Sequence, residues 1–170
     1  MRLSDPRAGA LLVATPLLGD PNFARSVVLL LQHDEEGSLG VVIDRPTTIS
    51  IDEFLPDWGG VAASPAVVFH GGPVDPEVGI GVTIRFGSIE VVDLTGDPAD
   101  DSPVRIFAGY AGWGAGQLAA EIAEGAWFVL DFATSDLQVE KPEMLWREVL
   151  RRQSTDVSMF ATYPLDPRMN

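Results

Sequence analysis

The stretch VRIFAGYAGWGAGQLAAEIAEGAWFVLD, residues 104–131, constrains this chain more than any other. It reads as strand, glycine-rich turn, short helix and strand, with Gly109, Gly112, Gly114 and Gly116 just ahead of the helix. Glycines so placed either bare the backbone to a phosphate at a helix start or let a helix pack close onto a sheet. Gly114-Ala-Gly116-Gln-Leu-Ala119 matches the G-x-G-x-x-A dinucleotide fingerprint, and Asp131 ends the next strand where a ribose-binding acid would stand. Three physical points oppose that reading. Asp131 follows Gly114 by fewer than the ~20 positions a full crossover needs. The helix available, Gln117 to Glu124, has only about two turns. No further parallel βαβ units surround it, and no Gly-Lys-Ser/Thr marks a Walker loop. Packing is the expected role: Gly112 and Gly114 at positive φ, Gly116 admitting the helix, and Trp113 as a lid with its indole N–H bonded nearby. An anion or small-ligand site at the helix start is the alternative.

The flanking segments set the class. Ala10–Ala14 reads as a buried first strand turning at Thr15-Pro16. SVVLLLQ (26–32) is a continuous apolar run, as expected of a strand covered on both faces. HDEEGS (33–38) reads as a polar turn, and LGVVIDR (39–45) as the antiparallel partner closed by Pro46. Ser50 and Glu53 form a capping box for a short helix at 51–55. AVVFHGGPV (66–74) runs into a Gly-Gly-Pro turn, and GVTIRFGSIEVVDL (81–94) alternates as a hairpin about Gly87-Ser88. A helix after Pro142 carries Leu145, Trp146, Val149 and Leu150 on one stripe, with Glu143–Arg147 and Glu148–Arg152 at pairing distance. SMFATYPLDPRMN (158–170) reads as a last short strand and a Pro-rich tail. Strands dominate without regular βαβα alternation, so the expected class is α+β: a strongly bent, mostly antiparallel sheet with about three helices. The 170 residues are read as a single domain, residues 1–170, with a Pro-rich tail from about 154.

Charge narrows the partners. Acidic residues outnumber basic ones 25 to 11, and a net charge of −14 opposes the phosphate neutralisation that nucleic-acid binding rests on. The one dense basic group, Arg147, Arg151 and Arg152, suits the end of a helix, where the macrodipole favours cations. There is no cysteine, which removes disulfides, thiolate nucleophiles and cysteine zinc sites and fits a cytoplasmic location. The apolar stretch Ala8–Leu18 mimics a leader, but Pro6, Pro16, the charge at Asp5 and the lack of an A-x-A cleavage pattern weaken that reading, and no run reaches the ~18 residues of a membrane span.

Reactive groups are few. No G-x-S-x-G elbow is present, so no catalytic residue is assigned, nor any cofactor. His33 and His70 each end a strand; with Asp34 or Asp44 they have the composition of a two-histidine, one-carboxylate iron site, but their spacing does not require one and no metal is assigned. Arg25 and Arg45 flank the 26–45 hairpin at the same end, suited either to holding an anion together or to pairing with Asp20, Asp44 or Glu121. The candidate ligand-binding set is Arg25, Arg45, His70, Trp113 and Gln117.

LLVATPLLGDPNFARSVVLLLQHDEEGSLGVVIDRP (11–46), VFHGGPV (68–74), GYAGWGAGQLAAEIAEGAW (109–127) and Trp146 together resemble the YqgE/AlgH family of bacterial proteins. The resemblance implies a compact α+β fold with a sheet folded towards a pseudo-barrel and a cytosolic protein; it implies no reaction. The transcriptional-regulator label of the AlgH branch comes without a DNA-binding motif. One departure is Asp44, where that family more often has asparagine before Arg-Pro. The expected function is a non-enzymatic binding or regulatory protein acting through protein contacts. A small-molecule or anion-binding protein, or an enzyme of unrecognised class, is the alternative.

Overall fold

Two apolar runs, Ala10–Ala14 and Val27–Leu30, are wholly excluded from solvent, which requires cover on both faces of the strands they form. The computed structural model, which describes residues 5–153 and 156–162, supplies that cover with two helices on opposite sides of one sheet. The strands are β1 (Leu11–Ala14), β2 (Val27–Asp34), β3 (Gly37–Val42), β4 (Pro46–Ser50), β5 (Val67–His70), β6 (Val74–Arg85), β7 (Ser88–Val92), β8 (Arg105–Gly114) and β9 (Trp127–Leu130). The helices are α1 (Ile51–Phe54), α2 (Gln117–Ala123) and α3 (Leu145–Arg151), joined by 3-10 turns at Pro56–Val61, Thr134–Leu137, Pro142–Met144 and Asp156–Thr162.

All nine strands form one strongly curled sheet in the order β4-β5-β8-β3-β2-β1-β9, with β6 pairing β8 and β7 pairing β6. Among the described strands only β5 and β8 run parallel, so the expected α+β class with a bent, mostly antiparallel sheet is what forms. Close backbone approach makes part of the curl. Gly109 sits in β8 at φ 78°, and a Cβ there would lie 2.5 Å from the Gly72 carbonyl oxygen.

One face packs Leu11, Val13, Val27, Leu29 and Val41 under α3. The predicted apolar stripe of α3 is buried, and its Trp146 indole N–H donates to the Ala14 carbonyl at 2.8 Å. The other face packs Leu12, Val28, Leu30, Trp113 and Trp127 under Leu118 of α2. A third cluster, Ile51, Trp58, Val68, Val104 and Ile106, fills the β4–β5 end. On the opposite face of β8 from Ile106, Arg105 is 3% exposed and has no carboxylate partner among the described residues. Its guanidinium donates to the carbonyls of Ala63, Ser64, Pro65 and Leu137 and lies 4.2 Å over the Phe69 ring; burial lowers its pKa to about 10.

Three local expectations change. The segment from Ser158 is not a strand: Val157 and Ala161, four residues apart, are both buried against α3 in a 3-10 turn. Residues 163–170 of the expected tail lie outside the described residues. The i,i+4 pairs of α3 give way to longer-range bonds. Arg147 donates to the Ala161 carbonyl, and Arg152 forms an ion pair with buried Asp136 at 2.6 Å. The turn expected at 33–38 shrinks to Glu35-Glu36, because β2 continues through His33 and Asp34 opposite Ser38 and Gly37.

Candidate functional site

The turn at 20–25 organises three of the five residues singled out by sequence, Arg25, Arg45 and Trp113. Asp20 holds it, its carbonyl accepting the N–H groups of Phe23 and Ala24 and its carboxylate the N–H of Asn22. Phe23 then projects onto Trp113 and Trp127, at ring-centroid distances of 6.1 and 5.7 Å. Arg45 donates to the carbonyls of Asn22 and Ala24 and so clamps the turn from below. Arg25 leaves the turn in the left-handed region, φ 57°, with its guanidinium 4.4 Å over Trp146. Burial, then repulsion by Arg147, lowers its pKa. The two arginines share one end of the hairpin, as expected, but are committed to different partners. His70 ends β5, its N–H donating to the Arg45 carbonyl at 2.9 Å.

Trp113 and Gln117 meet at a residue that sequence reasoning assigned elsewhere. Glu121 accepts the indole N–H of Trp113 at 3.2 Å and of Trp127 at 3.0 Å on one oxygen, and the Gln117 amide at 2.9 Å on the other. Gln117 in turn accepts the Gly114 N–H at 3.0 Å. Trp113 is thus the expected lid with a bonded indole, and Glu121 locks α2 onto the sheet instead of pairing with an arginine. The Gln117–Glu121 spacing of four was the available signal.

Beside this lock, between the β2–β3 turn and the start of α2, lies an open cleft of about 500 Å³ lined by His33, Asp34, Glu35, Ser38, Gly114 and Gly116, among others. The glycines do not divide the work as expected. Gly116 takes the positive φ, 74°, that begins α2. Gly112 and Gly114 continue β8, and a Cβ on either would meet nothing nearer than 3.9 Å. Their lack of side chains therefore leaves bare backbone on an open face. On the cleft wall His33 Nδ1 lies 2.6 Å from Ser38 Oγ. Asp34 stands at the rim, its pKa lowered chiefly by the Glu36 N–H, then by the Gln32 amide and others, with His33 the least of these.

The topology removes the dinucleotide alternative. β3, β2 and β1 separate β8 from β9, whereas the fingerprint needs neighbouring parallel strands. The Asp131 carboxylate pairs with Arg7 at 2.8 Å. The iron alternative also lapses, since among the described residues no three His, Asp or Glu side chains gather at metal-binding distance. Two of the three arginines in the basic group, Arg147 and Arg152, are occupied within the fold. No helix among the described residues is long and apolar enough to cross a membrane.

Comparison with known proteins agrees with this architecture. A family model described as AlgH-like matches residues 11–158. A UPF0301 protein of Streptomyces coelicolor is 50% identical, the alignment covering 95% of this chain and 94% of that one. A crystal structure from Corynebacterium diphtheriae superposes with a TM-score of 0.87 at 30% identity, over 96% of this chain and 95% of that one. The solution structure of the AlgH protein from Pseudomonas aeruginosa gives a TM-score of 0.66 at 28% identity, over 96% and 98%.

Proposed function

The chain belongs to the AlgH-like family, and from that footing we propose that it is a binding protein of the cytoplasm. Its cleft over the glycine turn takes up a positively charged segment of a partner protein. The observation that carries this reading is the cleft itself: bare backbone at Gly114, with carboxylates at Asp34 and Glu35 on its margin. Asp34, its pKa lowered further by those contacts, is ionised at neutral pH. The overall charge of −14 draws cations toward the surface and raises their encounter rate.

In this reading Trp113 and Gln117 act by position. Through Glu121 and the Gly114 N–H they fix one wall of the cleft relative to α2. Arg25 and Arg45 hold the 20–25 turn that backs the same tryptophans, and His70 lies beside Arg45 rather than in the cleft. Any regulatory effect on transcription would run through a bound protein, because a net charge of −14 opposes the approach of DNA.

The test is fluorescence anisotropy with labelled oligo-arginine and oligo-glutamate peptides at rising salt. The cationic peptide should bind, weaken as salt rises, and lose at least fivefold affinity to the double substitution D34N/E35Q. Equal binding of the anionic peptide, or unchanged affinity in that variant, refutes the assignment.

A further inference from the structure

We infer that Ser38 is a nucleophile primed by His33 for acyl transfer from small esters. This goes beyond uptake of a partner segment and is read out without one.

The pair is held by the sheet. His33 and Ser38 are directly opposed in the β2–β3 ladder, one step from the two-residue turn, so the backbone register brings Nδ1 within 2.6 Å of Oγ. That is hydrogen-bond reach for a general base and its nucleophile. Ser38 is 9% exposed and lines both the 500 Å³ cleft and a smaller one of about 230 Å³ on the far side of the turn. A reagent can approach through the larger cleft, where the neighbouring positions Gly114 and Gly116 carry no side chain to block it. The Asp34 carboxylate is engaged by the Glu36 N–H and the Gln32 amide, so Ser38 and His33 act as a dyad. Ser26, the other buried serine in this layer, has no histidine partner and lines neither cleft.

The chemistry balances with water as the only co-reactant. The neutral ring, protonated on Nε2, accepts the Ser38 hydroxyl proton at Nδ1 as Oγ bonds to the ester carbonyl carbon and the carbonyl π electrons move to oxygen. As they return, the carbon–alkoxy bond breaks and the leaving oxygen takes the proton from Nδ1, giving an alcohol and acyl-Ser38. Water then adds to the acyl carbon, yielding its proton to Nδ1. The bond to Oγ breaks, Oγ recovers that proton, and a carboxylic acid leaves. The nucleophile and base are both side chains of one hairpin, so a glycine-bounded elbow is not required.

The experiment uses the full chain and a fluorophosphonate probe, read by intact mass and by mapping the modified peptide. Wild-type protein should gain one adduct, on Ser38. S38A should gain none, and H33Q should label at least tenfold more slowly. Near-UV circular dichroism establishes that each variant is folded. An unlabelled wild type beside a labelled serine-hydrolase control overturns the inference, as does an adduct on another residue or an unchanged rate in folded H33Q. The probe is uncharged and small, so its failure leaves the peptide-binding result standing, and failure of peptide binding leaves the adduct standing.

Discussion

Replacing Asp44 by asparagine should stabilise the protein, and by an amount that grows with pH. Asp44 follows β3, is 7% exposed, and accepts the Val27 N–H through one carboxylate oxygen at 3.2 Å. Burial pushes its pKa from 3.8 up to about 7, against smaller opposing contributions from that hydrogen bond and from Arg45. The sign follows from proton uptake. Between 3.8 and 7 the unfolded chain carries an ionised carboxylate while the folded chain keeps its proton, so stability falls as pH rises through that window. Below it the two states match, and above it the full penalty persists. A shift from 3.8 to about 7, at ~1.36 kcal/mol per unit, sets an upper bound of about 4 kcal/mol. Asparagine carries no such penalty, and its side-chain oxygen can still accept the Val27 N–H. For a chain of this size each kcal/mol moves the melting temperature by about 2–4 °C. Thermal melts of wild type and D44N should therefore coincide to within a few degrees near pH 4, diverge up to about pH 7 and keep a constant gap from there to pH 8.5, D44N the more stable. A difference that does not change between pH 4 and 8.5, or a D44N that melts lower at pH 8.5, refutes a neutral buried carboxyl.

Glu121→Ala should cost about 2–4 kcal/mol in urea unfolding, because it strands two largely buried indole N–H groups at once. Arg105→Met should cost about 3 kcal/mol or more, since four carbonyls lose their donor, and R105K should not restore it because an ammonium cannot match the planar fork. Gly109→Ala should destabilise severely, by about 3 kcal/mol or more, whereas Gly112→Ala, facing open space, should stay within about 0.5 kcal/mol in the same unfolding assay. Gly114→Ala should leave the melting temperature within about 2 °C of wild type but lower oligo-arginine affinity in the anisotropy assay, since its methyl enters the cleft.

What could be read from sequence and what could not divide along a physical line. Apolar runs and their periods are local, so the burial of 10–14 and 27–30 and the stripe of α3 follow from residue order alone. Strand order is not local. Nothing within 104–131 says that three other strands separate β8 from β9, and that one fact dissolves the dinucleotide fingerprint. The partners of the arginines are hidden for the same reason: Arg45 donates to carbonyls of a turn more than twenty residues earlier, and Arg25 lies over a tryptophan of α3. The Ser38–His33 pair is the instructive case, because it was within reach of sequence. Residues 33–38 look like a turn when polarity is taken as the end of a strand. A ladder ends, however, where its backbone partners end, and β8 continues alongside β3 as far as Gly37 and Gly114. Extending the 26–45 hairpin inward to its shortest turn, Glu35-Glu36, places 33 opposite 38 before any coordinate is known. Chemistry that sits in the last two rungs of a hairpin is therefore found by asking how far pairing can run, not by where hydrophobicity stops.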